Sequence, residues 1–126
     1  MAKKILVVDD DPTVTRLVSK LLADHGYAVN VAVNGQEALD MVKKEKPDLV
    51  VLDIVMPEVN GYDVCWELRF NKSYERIPII LLTETPKRID DAVGKRTNID
   101  YMRKPMDSKA LLEKIVNLLK EPHGTA

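Results

Sequence analysis

The 126-residue chain is predicted to be an α/β domain: a parallel sheet between two helical layers, built from five βα units in a doubly wound, three-layer sandwich. Three observations predict it. Short apolar runs alternate with segments whose apolar residues recur at helical spacing. The runs Leu49–Leu52 and Ile77–Leu82 are apolar with little or no alternation, as in strands covered on both faces. The length, with 45 % hydrophobic and 31 % charged residues, suits one domain with its own core.

The elements follow in order. Lys4–Val8 is a short β-rich run. Asp9-Asp10-Asp11-Pro12 then reads as a helix start, with Asp11 as the cap and Pro12 at the first helical position. Val14, Leu17, Val18, Leu21 and Leu22 share one helical face, and Gly26 stops the helix. His25 reads as a cation at that helix's C-terminus. Ala28–Val33 alternates as a second strand. Asn34 and Glu37 form a capping-box pattern, and Pro47 ends the second helix. Leu49–Leu52 runs into Asp53. Pro57 and Asn60-Gly61 mark a loop before a third helix over Tyr62–Phe70. Ile77–Leu82 ends at Thr83, Lys87–Arg96 is a weaker helix, and Ile99–Met102 is a short fifth strand. Asp107 caps a last helix whose apolar face is Leu111, Leu112, Ile115, Leu118 and Leu119. Residues 1–126 are read as one domain with its core at 4–120 and a short polar tail at 121–126.

Composition excludes several functions. Nineteen basic residues oppose twenty acidic ones, for a net charge of −1. There is no basic field to hold nucleic acid directly. The apolar runs fall far short of the ~20 residues that span a bilayer, and no signal peptide is recognisable, so neither membrane insertion nor export is expected. The single cysteine, Cys65, allows no intrachain disulfide and suits the cytoplasm. His25 and His123 match no zinc spacing.

A doubly wound sheet binds its ligands at the carboxyl ends of its strands. The first strand delivers Asp9 and Asp10 there, the third Asp53, the fourth Thr83, and Lys104 follows the fifth. Three carboxylates in one crevice repel unless a cation joins them. An all-oxygen donor set without His or Cys selects a hard ion, Mg²⁺ first, with Mn²⁺ as a substitute. Such an ion commonly meets a phosphoryl oxygen, with Lys104 and Thr83 available for two others. Asp53, flanked by strands one and four, is best placed as the nucleophile of an acyl phosphate.

Five segments carry a resemblance. Val7-Val8-Asp9-Asp10-Asp11-Pro12, Leu52-Asp53-Ile54-Val55-Met56-Pro57, Asn60-Gly61-Tyr62, Leu82-Thr83 and Tyr101-Met102-Arg103-Lys104-Pro105 occur in order. Together they resemble the CheY-like receiver domain of two-component response regulators, over residues 4–120. The resemblance implies a flavodoxin-like sheet of order 2-1-3-4-5. It implies that Asp53 accepts a phosphoryl group from a histidine kinase or phosphotransfer protein. Asp10, Asp53 and the Val55 backbone carbonyl would ligate Mg²⁺, with Asp9 acting directly or through water. Thr83 and Tyr101 would be the switch pair, Lys104 would pair with the phosphoryl group, and Pro105 would follow a cis bond. Output would run through the fourth helix, fifth strand and fifth helix to a downstream protein. The chain would then be no enzyme in its own right, but a phosphoacceptor that promotes its own phosphorylation and dephosphorylation.

Three features depart from the family pattern. Glu84 stands where receivers usually have a small residue, and it is expected to point to solvent and partly screen the pocket. The fourth helix is poor in apolar anchors, ends at Arg96-Thr97-Asn98 without the usual Gly-Ala pair, and is expected to be short or mobile. Four of the six aromatics lie within residues 62–74. Trp66 and Phe70 lie opposite the Val64, Cys65 and Leu68 face, and the loop carrying Tyr74 is expected to fold back over them. An exposed pair would instead mark a contact patch.

The leading expectation is a stand-alone, cytoplasmic receiver, a monomer or weak dimer. A pseudo-receiver that binds without phosphorylation is the alternative. Less favoured is an aspartyl-phosphate enzyme, because haloacid-dehalogenase phosphatases carry a second acid two residues after the nucleophile, where this chain has Val55. A flavin carrier is disfavoured because three aspartates after the first strand would repel its phosphate.

Overall fold

The computed structural model describes residues 3–53, 61–74, 76–83, 99–103 and 107–120. Five strands, β1 (Lys4–Val8), β2 (Ala28–Ala32), β3 (Leu49–Asp53), β4 (Ile79–Thr83) and β5 (Ile99–Arg103), alternate with helices α1 (Pro12–Asp24), α2 (Gly35–Glu45), α3 (Gly61–Arg69) and α4 (Ser108–Lys120). All strand pairs are parallel and the order is β2-β1-β3-β4-β5. The flavodoxin-like sheet order is therefore confirmed. The predicted helix at Lys87–Arg96, with Glu84 and Asn98 beside it, lies outside the described residues, and α4 is the last helix of the sequence reading.

Period-two alternation explains the apolar strands. Leu6, Val8, Val50, Leu52, Ile79 and Leu81 face one way, into a cluster completed by Ala38 and Val42 of α2 and by Val64, Cys65 and Leu68 of α3. Ile5, Val7, Leu49, Val51, Ile80 and Leu82 face the other way, against Val18 and Leu22 of α1 and Leu111 and Ile115 of α4. Each of these residues of β1, β3 and β4 thus has a helix to bury against, whereas the edge strand β2 is only partly covered and carries the polar Asn30.

The helix ends are set by the capping chemistry read from the sequence. Asp11 accepts from the Thr13 N–H (2.9 Å), Asn34 from the Glu37 N–H (2.8 Å), and Asp107 from the Lys109 N–H (3.0 Å). Glu37 reaches back one residue beyond the cap and accepts from the Val33 N–H (3.1 Å), a variant of the expected capping box. Strand β2 ends at Ala32 rather than Val33, whose N–H points away from β1 at the sheet edge. Strand β4 begins at Ile79 rather than Ile77. Pro78 has no N–H to give the ladder, and the Ile77 N–H instead closes a turn onto the Tyr74 carbonyl (3.1 Å). Gly26 has φ +90°, the left-handed conformation expected after α1. The Nδ1 of His25 lies 2.9 Å from the Leu21 carbonyl oxygen, as a helix-terminal donor should. Lys46 ends α2 with φ 48°, a left-handed residue directly before Pro47.

One expectation is corrected. Tyr74 packs against the α2–α3 core cluster, and it leaves Trp66 41 % and Phe70 77 % exposed. The turn at residues 71–74 is spent on the Ile77 side, where the apolar core can receive the Tyr74 ring. No described helix is long and apolar enough to cross a membrane.

Candidate functional site

Sheet register builds the site. Val8 of β1 pairs with Leu52 of β3, so the next residues along the two strands, Asp9 and Asp53, emerge side by side at the carboxyl edge. Asp53 in turn pairs with Leu82 of β4, which puts Thr83 one residue further along the same rim. Thr83 pairs with Arg103, the last residue of β5, and Lys104 follows it directly in sequence.

The geometry of the carboxylates is specific. Asp9 and Asp53 are each only 2 % exposed, while Asp10 faces solvent. Each of the three offers an oxygen, and these oxygens lie within 4.8 Å of one another. Among the described residues no other group of three or more His, Cys, Asp or Glu side chains could hold a metal ion. Local bonding fixes the first of them. The Asp9 N–H donates to the Ala32 carbonyl (3.2 Å), and its Oδ1 accepts from the Asp11 N–H (2.9 Å). The Asp11 that caps α1 therefore also orients the carboxylate beside it.

Charge of one sign at this density calls for a counter-ion. Two unit charges 4 Å apart repel by about 4 kcal/mol at an effective dielectric of about 20. A divalent cation reverses that sign, and hard carboxylate oxygens with no sulfur or imidazole suit Mg²⁺ or Mn²⁺. The donor set present thus fits the ion that the sequence implied.

The other predicted site residues divide into two groups. Thr83 and Tyr101 are placed by their backbones: Thr83 at the rim, and Tyr101 within β5 opposite Leu81. Val55, Lys104, Pro105 and Glu84 fall outside the described residues. Sequence reasoning missed a second concavity, between α2 and α3, lined by Gln36, Leu39, Asp63, Trp66, Glu67 and Phe70. The Trp66–Phe70 spacing pointed to half of it. The i, i+4 spacing of Asp63 and Glu67 was the unused signal.

Residues 5–116 match the response regulator receiver domain. The chain belongs to that family. This receiver is 38 % identical to Protein PilH of Pseudomonas aeruginosa over 113 residues, covering 89 % of this chain and 93 % of that protein. It is 43 % identical over 119 residues to the probable transcriptional regulator ycf27 of Cyanophora paradoxa, covering 94 % of this chain. There the receiver spans only 48 % of the relative's length. The crystal structure of the chemotaxis protein CheY4 of Vibrio cholerae superposes with a TM-score of 0.84 at 29 % identity, covering 94 % of this chain and 99 % of that one. The chain is thus a CheY-like receiver of two-component signalling. Receivers are signalling modules rather than enzymes of the ordinary kind, and they interact with histidine kinases or phosphotransfer proteins and with downstream targets.

Proposed function

We propose that residues 1–126 act as a single receiver whose Asp53 accepts a phosphoryl group from a histidine kinase or phosphotransfer protein. One observation carries the reading: a buried carboxylate at the end of β3, within 4.8 Å of two others, in a chain of this family. An Asp53 carboxylate oxygen attacks the phosphorus of a donor phosphohistidine. The P–N bond breaks, its electron pair stays on the imidazole, and an acyl phosphate forms on Asp53. Asp9, Asp10, Asp53 and the Val55 carbonyl would hold Mg²⁺, or Mn²⁺ in its place. The ion supplies neutralisation of the charge that gathers on the phosphoryl oxygens. Lys104 and the Thr83 hydroxyl bind two of those oxygens.

Output is a population shift. The Thr83 hydroxyl moves toward the phosphoryl group, the Tyr101 ring follows inward, and the face formed by β5, the last helix and the segment preceding β5 changes its contacts. Glu84 screens the pocket and slows labelling by small phosphodonors. The register that puts Thr83 beside the Asp53 strand supports this assignment.

Intact mass measurement after incubation with acetyl phosphate and Mg²⁺ tests it. One phosphoryl increment is expected for the natural chain, none for Asp53→Ala, and a faster increment for Glu84→Ala. Transfer from a panel of phosphorylated histidine kinases, with the same control, then finds the donor. No adduct from any donor would make the chain a binding module regulated by other means.

A further inference from the structure

Helix α3 has two working faces. Val64, Cys65 and Leu68 are buried in the core. On the opposite side Trp66 and Phe70 stack at a centroid distance of 5.1 Å with their planes 7° apart, and both are exposed. They form one wall of an open groove of about 840 Å³ whose other wall is Gln36 and Leu39 of α2. Asp63 and Glu67, one turn apart, line it beside the rings, and Lys72 stands at its end. On α2 Gln36 donates to Asp40 (3.2 Å).

The chemistry of this combination is selective. Flat aromatic faces attract a planar cation, and carboxylates alongside accept its N–H groups in a fork. The stacked rings supply the first, Asp63 and Glu67 the second. The acidic edge repels phosphate and acidic peptides. Exposed aromatics are the side chains most often found at the energetic centre of protein contacts. We propose that the α2–α3 groove docks an arginine-bearing segment of a partner protein, with the guanidinium over the Trp66 ring and bound to Glu67. Arginine fits better than lysine, whose compact ammonium cannot stack. The groove shares no residue with the carboxylate rim, so this docking stands independently of phosphorylation at Asp53.

Selection of a random 12-residue peptide display library on the whole chain, with the Trp66→Ala chain as counter-selection, tests the proposal. Arginine enriched at one position of the retained peptides is expected. Replacing that arginine by citrulline, which keeps the shape and removes the charge, should weaken binding at least tenfold. Glu67→Lys should do the same, and Glu67→Gln should weaken it less. The Glu67 side chain is exposed, so its variants should unfold at the natural chain's temperature. Should Trp66→Ala fold poorly, Phe70→Ala serves as the counter-selection. Peptides without enriched arginine, or with equal affinity for Glu67→Lys, would overturn the proposal. So would sedimentation showing a dimer of the chain abolished by Phe70→Ala, because the occupant would then be a second copy.

Discussion

The carboxylate rim and the α2–α3 groove invert the usual sorting of side chains in opposite directions. At the rim the fold buries charge: Asp9 and Asp53 are 2 % exposed. In the groove it exposes rings: Phe70 is 77 % exposed although the core lies one helix face away. Folding alone favours neither arrangement. Buried like charges repel, and exposed aromatics forgo roughly 25 cal/mol for each Å² left in water. Both arrangements become favourable once something arrives, a cation and a phosphoryl group in one case and a partner's side chain in the other. Where a sequence resists the sorting its own core obeys, binding is the physical reason to look for.

That contrast can be broken experimentally. Its largest test stays within α3. Leu68→Ala, in the core, should cost about 2–5 kcal/mol in urea denaturation followed by circular dichroism. If Leu68→Ala and Trp66→Ala cost the same, the two faces of α3 are not distinct. Next is the ion. Mg²⁺ at about 100 times its Kd should stabilise the natural chain by about 2.7 kcal/mol, and Asp10→Ala should abolish the effect. A melting temperature that does not respond to Mg²⁺ would remove the cation from the account of the rim. Smaller again is repulsion itself. In chelator, Asp9→Asn should raise stability by about 1 kcal/mol, since the amide oxygen still accepts from the Asp11 N–H while one charge is lost to a partly solvent-screened cluster. A loss of stability instead would mean that the hydrogen bond matters more than the charge. In the groove, Phe70→Ala should cost only about 0.5–1 kcal/mol, chiefly its stack on Trp66.

Local chemistry was legible in the sequence wherever a residue acts on its near neighbours. Asp11, Asn34 and Asp107 cap the helices as the sequence implies, because a cap needs only two or three residues and a backbone N–H. Strand edges were read less well. Val33 and Ile77 looked like strand, but Val33 lies past the last paired residue of an edge strand and the Ile77 N–H is taken by the Tyr74 carbonyl. The rim is different in kind. Asp9 and Asp53 meet only because β1 pairs with β3, and no local pattern states a strand order. It became legible through the doubly wound rule and the ordered segments of the family. The exposure of Trp66 and Phe70 was misjudged for a matching reason. Helical spacing says which side chains share a face, but not whether a loop covers it, and the destination of Tyr74 is a tertiary choice.

Trp66 is the chain's single tryptophan, and it already sits 41 % in water. Its emission in the native protein should therefore lie nearer to that of the unfolded chain than a core tryptophan's would. Fluorescence should report denaturation with a smaller spectral shift than a core tryptophan would give. The same indole is a built-in optical probe of whatever enters the α2–α3 groove, with no other tryptophan to dilute its signal.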